Sequence, residues 1–147
     1  MLSQPKSLRM PTIFEQIVDG EIPGRIVHET ETTLAFLDAN PLARGHTLVI
    51  PKEPYEHLDD MPADVAGDVF SVVHELTPTI EDAVDADATT IGMNNGEAAG
   101  QEVPHAHVHI VPRFDGDGGG PIHAISPDRP DLSDAELDKI EAAISGA

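Results

Sequence analysis

The sequence predicts an α+β domain with flanking helices on a mainly antiparallel sheet of five strands. Short segments with strand character follow one another between turn residues, which favours antiparallel neighbours. Three further segments carry apolar residues at helical spacing. The 147 residues contain no internal repeat and no linker long enough to separate domains. One domain with a sizeable core is therefore expected.

The first part of the chain is expected to form one helix and three strands. A short helix is predicted over residues 13–19, because Ile13 and Ile17 have i, i+4 spacing and Gly20 follows as a stop signal. The turn residues Asn40-Pro41 separate the second and third strands. The predicted strands are residues 25–29, 33–38 and 46–51.

The second part is expected to contain a long helix, two strands and a final helix. Residues 62–84 have helical periodicity, and Pro78 is expected to kink or split this helix. The predicted strands are residues 89–94 and 105–111. The glycine-rich segment 115–120 is predicted to be mobile and exposed. Ser133 and Glu136 form a capping box for the last helix. Leu132 is predicted to staple against Leu137, and the buried stripe of this helix is predicted to consist of Leu137, Ile140 and Ile144.

Charge and composition exclude several classes of function. The chain has 27 acidic and 8 basic residues, a formal net charge of −19, which disfavours binding to nucleic acid or an anionic membrane. Without cysteine it can form neither disulfides nor thiolate metal sites. Residues 1–12 have no apolar segment typical of a signal peptide, so a cytoplasmic protein is predicted.

The acidic excess also predicts adaptation to high salt. The charges are spread over segments with clear apolar periodicity, which favours a folded protein rather than a disordered one. At about 1 M salt the Debye length is about 3 Å, so the self-repulsion is largely screened. We therefore expect a halophilic source.

Three histidines at alternating positions carry most of the functional information. His105, His107 and His109 stand in the run Pro-His-Ala-His-Val-His-Ile-Val-Pro. A strand places residues i, i+2 and i+4 on one face, so all three imidazoles are expected to project together. Ala106, Val108 and Ile110 would then face the core.

Three explanations for this row of histidines were compared. A structural role would require partners for three buried imidazoles. A metal site can use His107 and His109, but His105 and His109 lie about 13 Å apart along a strand and cannot share one ion. Phosphoryl chemistry fits better, because one imidazole can attack phosphorus while a second stabilises charge or protonates the leaving group. The N–H groups of Gly100 and Gln101 can form a phosphate nest, and His46 can add a fourth imidazole.

The residues resemble the histidine triad (HIT) family, whose signature is His-φ-His-φ-His-φ-φ with φ apolar. The signature stands complete as His105-Ala-His107-Val-His109-Ile-Val. The resemblance extends to Phe14 through Pro23, Leu34-Ala-Phe-Leu-Asp38-Ala-Asn-Pro41, Gly45-His-Thr-Leu-Val-Ile-Pro-Lys52 and Asn94 through Arg113. It implies an extension over residues 1–11, a HIT domain over 12–114, and a glycine-rich loop with a C-terminal helix over 115–147.

The resemblance also implies roles for individual residues. His107 matches the nucleophile that becomes nucleotidylated, His109 and His46 match phosphate-contacting histidines, and His105 matches the residue that orients the nucleophile. Asp38 matches the residue that binds the ribose hydroxyls, which suits a carboxylate acceptor. The remaining matches are Phe36 and Ile17 in the base pocket, and Asn94, Gln101 and Val103 at the phosphates.

The resemblance implies a homodimeric hydrolase or nucleotidyl transferase. It would act at the α-phosphate of AMP- or GMP-linked substrates, such as phosphoramidates, acyl- or sulfo-nucleotides and dinucleoside polyphosphates, without a cofactor. A binding or regulatory module with negligible turnover, and a metal-dependent hydrolase, are the alternatives. Ile110-Val-Pro-Arg113 slightly resembles the dinucleoside polyphosphate branch, and Arg113 can offset acidity near the phosphates.

The chain departs from the family pattern at several positions. Many microbial members carry a zinc-binding Cys-x-x-Cys where Thr12 and Glu15 stand here, and Pro54 replaces a further histidine, although His57 follows. No zinc is expected. Glu102 replaces the hydroxyl residue that commonly follows the loop glutamine, which places a carboxylate beside the expected phosphates.

Overall fold

A computed structural model describes residues 10–146. The helices are α1 (Ile13–Val18), α2 (Ala63–Val84) and α3 (Asp134–Ser145). The strands are β1 (Ile26–Glu29), β2 (Thr33–Leu37), β3 (Thr47–Pro51), β4 (Ala88–Gly92) and β5 (Val108–Arg113). Most of the expected extension, residues 1–9, lies outside the described part of the chain.

The five strands form one sheet in the order β1-β2-β3-β5-β4, and every neighbouring pair is antiparallel. The predicted α+β class and the antiparallel five-stranded sheet are therefore confirmed. Consecutive strands pair through short turns from β1 to β3, whereas α2 connects β3 to the far edge of the sheet at β4. Strand β5 lies between β3 and β4, in the interior of the sheet.

The side chains of the central strands alternate between two buried layers. On one side, which we call the α2 face, Ala35, Val49, Val108 and Ile110 belong to the same core cluster as α2. The α2 residues in this cluster are Val69, Val72, Val73, Leu76 and Ile80. On the other side, the α1 face, Leu34, Phe36, Leu48 and Ile50 cluster with Phe14 of α1. Both faces of β2 and β3 are covered, which explains their uninterrupted apolar sequences.

Helix α2 continues through Pro78, so the predicted split does not occur. Proline removes one N–H donor from a helix, but Pro78 and His74, whose carbonyl loses that donor, are both exposed to solvent. Leu76 and Ile80, on either side of Pro78, are buried against the sheet. Tertiary packing therefore maintains the helix across the proline.

The C-terminal segment differs from the prediction in the packing of α3. The Ser133 capping box forms, with Glu136 at its third position, but the predicted apolar stripe of α3 is exposed. Leu137 is 47% exposed, Ile140 45% and Ile144 82%. The glycine-rich segment is exposed, as predicted, and the Arg113 guanidinium donates to both carboxylate oxygens of its Asp117. Among the described residues, no helix is long and apolar enough to cross a membrane.

Candidate active site

A cleft of about 1100 Å³ opens on the α1 face of the sheet. Helix α1 forms one wall, the segment after β2 forms another, and the loop between β4 and β5 closes the third side. The structure brings eight of the residues singled out in the sequence into its lining: Ile17, Phe36, Asp38, Asn94, Gly100, Val103, His107 and His109. His46, His105 and Gln101 do not line the cleft.

Strand β5 begins at Val108, so only His109 of the three histidines lies within it. The strand predicted over residues 105–111 therefore begins three residues too early and ends two residues too early. The side chains alternate nevertheless: Ala106, Val108 and Ile110 belong to the core of the α2 face. The rings of His107 and His109 are 5.0 Å apart on the opposite side. The three imidazoles share the α1 face although two of them precede the strand.

Hydrogen bonding assigns the tautomer of His107. Its Nδ1 lies 2.7 Å from the backbone carbonyl of His105, and a carbonyl can only accept, so Nδ1 carries the proton. In the neutral ring the lone pair is then on Nε2. The His107 side chain is mostly buried but lines the cleft. A ring held in this way presents a nucleophilic nitrogen without a separate base.

His46 and His109 form a directed pair. The Leu42 N–H donates to His46 Nδ1 at 3.0 Å, so the neutral His46 ring carries its proton on Nε2. This Nε2 lies 2.9 Å from His109 Nδ1 and donates to it. The neutral His109 ring therefore carries its own proton on Nε2, and this N–H can donate a hydrogen bond beside His107.

The electrostatic environment keeps both rings of this pair neutral. Burial, together with the neighbouring His107 and His46, lowers the pKa of His109 to about 4 against the opposing attraction of Asp38. Burial also lowers the pKa of His46, against the attraction of Asp38. Near neutral pH His109 therefore donates hydrogen bonds as an imidazole rather than as an imidazolium.

His105 lies behind the cleft and is fully buried. Its Nε2 donates to the Pro51 carbonyl at 2.8 Å. In the neutral ring Nδ1 then accepts from the Thr12 hydroxyl, 3.0 Å away at the start of α1. The ring is thus fixed at both ends, between α1 and the end of β3.

Asp38 and an aromatic pair line the cleft close to the histidines. Phe14 and Phe36 meet edge to face, with ring centroids 5.4 Å apart. Asp38 follows β2 directly, and its Oδ1 accepts from the Asn40 N–H at 2.9 Å. Its carboxylate keeps further acceptor capacity for hydroxyl groups of a ligand. An apolar wall beside a carboxylate acceptor suits the base and the ribose of a nucleoside.

The loop before β5 is organised by its own backbone. The Gly100 N–H donates to the Glu97 carbonyl and the Gln101 N–H to the Gly96 carbonyl, at 2.9 and 3.2 Å. The phosphate nest suggested by the sequence is therefore not formed by these two groups. The Gln101 side chain also bonds within this region, to Gly96 N, Glu56 O and Val103 O. Gly100 has φ +100°, a conformation that L side chains rarely adopt.

Of the charged residues considered in the sequence, Glu102 lies at the cleft and Arg113 is held away from it by other partners. Glu102 lines the cleft, and it also lines a neighbouring cavity of about 550 Å³ with Glu56 and Glu97. Arg25 is the cation of the cleft lining. Arg113, which the sequence suggested could offset acidity near the phosphates, instead binds Asp117, Thr90 and the Gly120 carbonyl.

Comparison with known proteins identifies the family. The family model of the HIT domain matches residues 19–116, about two thirds of the chain. This protein belongs to the HIT family. An uncharacterised HIT-like protein of Methanocaldococcus jannaschii is 47% identical, over 72% of this chain and 81% of that protein. A structure from Streptococcus mutans is 36% identical, covers 98% of this chain and 90% of that one, and has a TM-score of 0.85.

Two relatives have a named activity. An adenylylsulfatase of Arabidopsis thaliana is 37% identical, over 78% of this chain and 58% of that protein. An adenosine 5′-monophosphoramidase of Saccharomyces cerevisiae is 36% identical, over 80% of this chain and 72% of that protein. A zinc-bound HIT structure from Mycobacterium smegmatis is 33% identical, covers 89% of this chain and 96% of that one, and has a TM-score of 0.69.

The positions at which some HIT proteins bind zinc are occupied here by Thr12 and Glu15, and neither supplies a Cys or His ligand. Thr12 Oγ1 accepts from the Glu15 N–H at 3.0 Å, and Glu15 Oε1 accepts from the Thr12 N–H at 3.1 Å. These two oxygen groups form the capping box of α1. A hydroxyl and a carboxylate committed to a helix cap do not suit the Cys and His coordination that structural zinc prefers.

Asp38, His46 and His109 form a second group whose ligand atoms lie within 4.8 Å of one another. Both nitrogens of His46 and Nδ1 of His109 already take part in hydrogen bonds. A cation here would have to displace the proton shared by the two imidazoles and one backbone contact. The hydrogen-bonded arrangement uses these side chains without a metal ion.

Sequence reasoning did not single out two residues that complete the site. Phe14 packs edge-on against both His105 and His107, at centroid distances of 5.8 and 5.0 Å. Thr12 binds His105 across 93 positions of sequence. The pattern Thr-x-x-Glu at 12–15 repeats the capping signal of residues 133–136 and could have located the start of α1. Its contact with the histidines depends on tertiary structure.

Proposed function

We propose that this HIT-family protein hydrolyses or transfers nucleotides at the α-phosphate of AMP- or GMP-linked substrates, through a nucleotidyl-His107 intermediate. The observation that carries this proposal is the pair of opposite tautomers in the cleft. His107 Nδ1 donates to a carbonyl, so the ring has its lone pair on Nε2. His109 Nδ1 accepts from His46, which leaves its Nε2 as a donor.

In the first step, His107 Nε2 attacks the α-phosphorus and the bond to the leaving group breaks with its electron pair. A sulfate or polyphosphate group leaves as an anion, whereas an amine takes up a proton from solvent as it leaves. The ring becomes positively charged, and the His105 carbonyl that accepts from Nδ1 stabilises this charge. His109 donates from Nε2 to a phosphoryl oxygen, where negative charge develops in the transition state. Water then attacks phosphorus, the P–N bond breaks, and the nucleoside monophosphate leaves with the release of one proton.

The rest of the cleft suits a purine nucleotide. Its volume of about 1100 Å³ exceeds that of most small-molecule sites and accommodates a nucleotide with its leaving group. Ile17, Phe36 and Val103 offer an apolar wall for the base, and Asp38 offers acceptors for the ribose hydroxyls. The names of two relatives, an adenylylsulfatase and an adenosine 5′-monophosphoramidase, support adenylylated substrates with small leaving groups.

A substrate panel tests the proposal. The purified protein is offered adenosine 5′-phosphoramidate, adenosine 5′-phosphosulfate, diadenosine polyphosphates and the guanosine counterparts, each with and without EDTA. We expect release of AMP or GMP from at least one class, unaffected by EDTA. Loss of activity with EDTA would instead support a metal-dependent hydrolase. Tight nucleotide binding without turnover of any compound would support a binding module.

We also propose that the protein works in concentrated salt, because its net charge of −19 is tolerated best when screened. The melting temperature is expected to rise as KCl is increased from about 0.1 M, where the Debye length is about 10 Å, to above 1 M. A melting temperature that falls over this range would contradict adaptation to salt. The substrate panel should accordingly be run at high KCl.

A further inference from the structure

We propose that Thr12 is a positioning residue for the nucleophile, acting through His105. The inference rests on the proposed function, in which His107 attacks the substrate. It concerns a residue outside the cleft lining, at the N-terminus of α1. Its hydroxyl fixes the His105 ring, and the His105 carbonyl in turn holds His107.

Strand β5 is too short to include the first two histidines of the triad. Because β5 starts at Val108, the strand ladder does not hold the segment that carries His105 and His107. Two backbone contacts fix this segment, from His105 N to Val103 O and from Ala106 N to Tyr55 O. The His105 ring adds hydrogen bonds to Thr12 Oγ1 and Pro51 O. Side-chain anchoring thus replaces sheet pairing where the nucleophile is held.

The Thr12 hydroxyl performs two tasks at once. It accepts from the Glu15 N–H at 3.0 Å, as the N-cap of α1, and it donates to His105 Nδ1 at 3.0 Å. A hydroxyl has one proton and two acceptor positions, so both bonds are possible together. Thr12 is 8% exposed and His105 fully buried, so water is a poor replacement for either bond. An aspartate can also cap a helix but has no proton to donate to Nδ1.

Phe14 extends this connection into the cleft. It follows Thr12 by two residues and packs edge-on against the rings of both His105 and His107. The position of α1 and the position of the nucleophile are therefore coupled by one polar and one apolar contact. Loss of the hydroxyl removes one of the contacts that hold the His105 ring, and we expect it to shift the His105 carbonyl that selects the His107 tautomer.

The test compares variants of Thr12 with a matched cap on α3. Thr12→Val keeps the side-chain shape without the hydroxyl, and Thr12→Gly removes the hydroxyl while retaining most of the capping preference. Thr12→Ser retains both bonds. Ser133→Val removes the same type of cap from α3, where Ser133 and Glu136 form an exposed capping box.

The readouts are kcat and KM for a substrate found in the panel, and the ¹⁵N NMR shifts of the His105 and His107 rings. We expect Thr12→Val and Thr12→Gly to lower kcat roughly 10- to 100-fold, with a smaller change in KM, since a misplaced reacting group affects the chemical step. The His105 Nδ1 resonance should shift in both. Thr12→Ser should restore kcat and the resonance, and Ser133→Val should change neither.

Each other outcome has a definite meaning. If the wild type turns over substrate and folded Thr12→Gly keeps wild-type kcat, the positioning role is overturned while the proposed function stands. If the wild type turns over no substrate, the proposed function fails. An unchanged His105 Nδ1 resonance in Thr12→Gly would then overturn the contact itself. If Thr12→Val does not fold, the Gly and Ser variants carry the comparison.

Discussion

The two faces of the central sheet are built from the same strands but differ in their chemistry. On the α2 face, side chains such as Val49, Ile110 and Leu76 form a core cluster made of apolar residues. On the α1 face, four histidines lie beside an apolar cluster that is open to a cleft. Adjacent residues of one strand, His109 and Ile110, belong to different faces.

This difference separates stability from chemistry within a single sheet. Burial of the α2 face contributes free energy of folding in proportion to the apolar area removed from water. The α1 face holds polar rings at a cost in desolvation, which their mutual hydrogen bonds offset in part. Mutations on one face should therefore change turnover, and mutations on the other should change the free energy of unfolding.

The largest expected effect is on the α1 face. His107→Asn removes the nucleophilic nitrogen, and kcat should fall at least about 1000-fold, because the intermediate can no longer form. Asparagine is polar and smaller, so nucleotide affinity and the melting temperature should change little. Steady-state kinetics, a nucleotide titration and a melting curve measure all three. Normal turnover by this variant would contradict the assigned nucleophile.

The converse change is on the α2 face. Leu76→Ala truncates a buried side chain of α2 and should lower the free energy of unfolding by about 2–5 kcal/mol. Because Leu76 does not line the cleft, kcat measured below the melting temperature should stay within about twofold. Denaturant unfolding and steady-state kinetics test the pair of values. A large loss of kcat in the folded variant would show that the two faces are coupled.

Acidification should lower the free energy of unfolding, because histidines on the α1 face are neutral in the folded protein. The pKa of His109 is about 4 in the folded protein against an ordinary value of 6.5, so between these values the unfolded chain binds more protons. The contribution of His109 to the free energy of unfolding is therefore fully present above about pH 6.5 and is lost as the pH decreases to about 4. Burial lowers the pKa of His46 as well, which acts in the same direction.

The His109 contribution to this acid loss should be at most about 2 kcal/mol, because the ring is partly exposed and solvent screens the charge. The free energy of unfolding is measured for the wild type and for His109→Asn at pH 7 and pH 4.5. The difference between the two losses on acidification gives the His109 contribution. The variant should lose less stability on acidification. Equal losses of stability in the two proteins would show that protonation of His109 does not cause the decrease.

The smallest expected effect concerns Glu102, which adds negative charge to the cleft. Glu102→Gln should improve kcat/KM for phosphate substrates about fivefold at low salt, which corresponds to about 1 kcal/mol of Coulomb repulsion. The gain should shrink above 1 M KCl as the charges are screened. Glu97→Gln is the matched control, because Glu97 lines the side cavity rather than the main cleft. An equal gain from both variants would indicate a general charge effect.

Periodic signals in the sequence predicted the fold well. Alternation in residues 105–110 correctly placed Ala106, Val108 and Ile110 in the core, although the ladder of β5 begins only at Val108. Alternation reports which face a side chain occupies, whereas strand bounds depend on pairing with distant residues. This is why the sidedness was predictable and the start of the strand was not.

Features decided by tertiary contacts were not predictable in the same way. Capping boxes at Thr12 and Ser133 follow the same local pattern, yet Thr12 is buried against His105 and Ser133 is exposed. Pro78 was expected to break α2, but the core on either side of it maintains the helix. The stripe on α3 has helical spacing yet stays exposed, since periodicity describes a face and not its partner.

A covalent bond between His107 and the nucleotide is the central step of the proposed mechanism. Rapid acid-free quenching during turnover of an adenylylated substrate, followed by mass spectrometry of the digested protein, detects it directly. We predict an adenylyl group on the peptide containing residues 105–109, located at His107 by fragmentation and absent from His107→Asn. Turnover of the same substrate with no nucleotide on His107, or with the nucleotide on another residue, would contradict the mechanism.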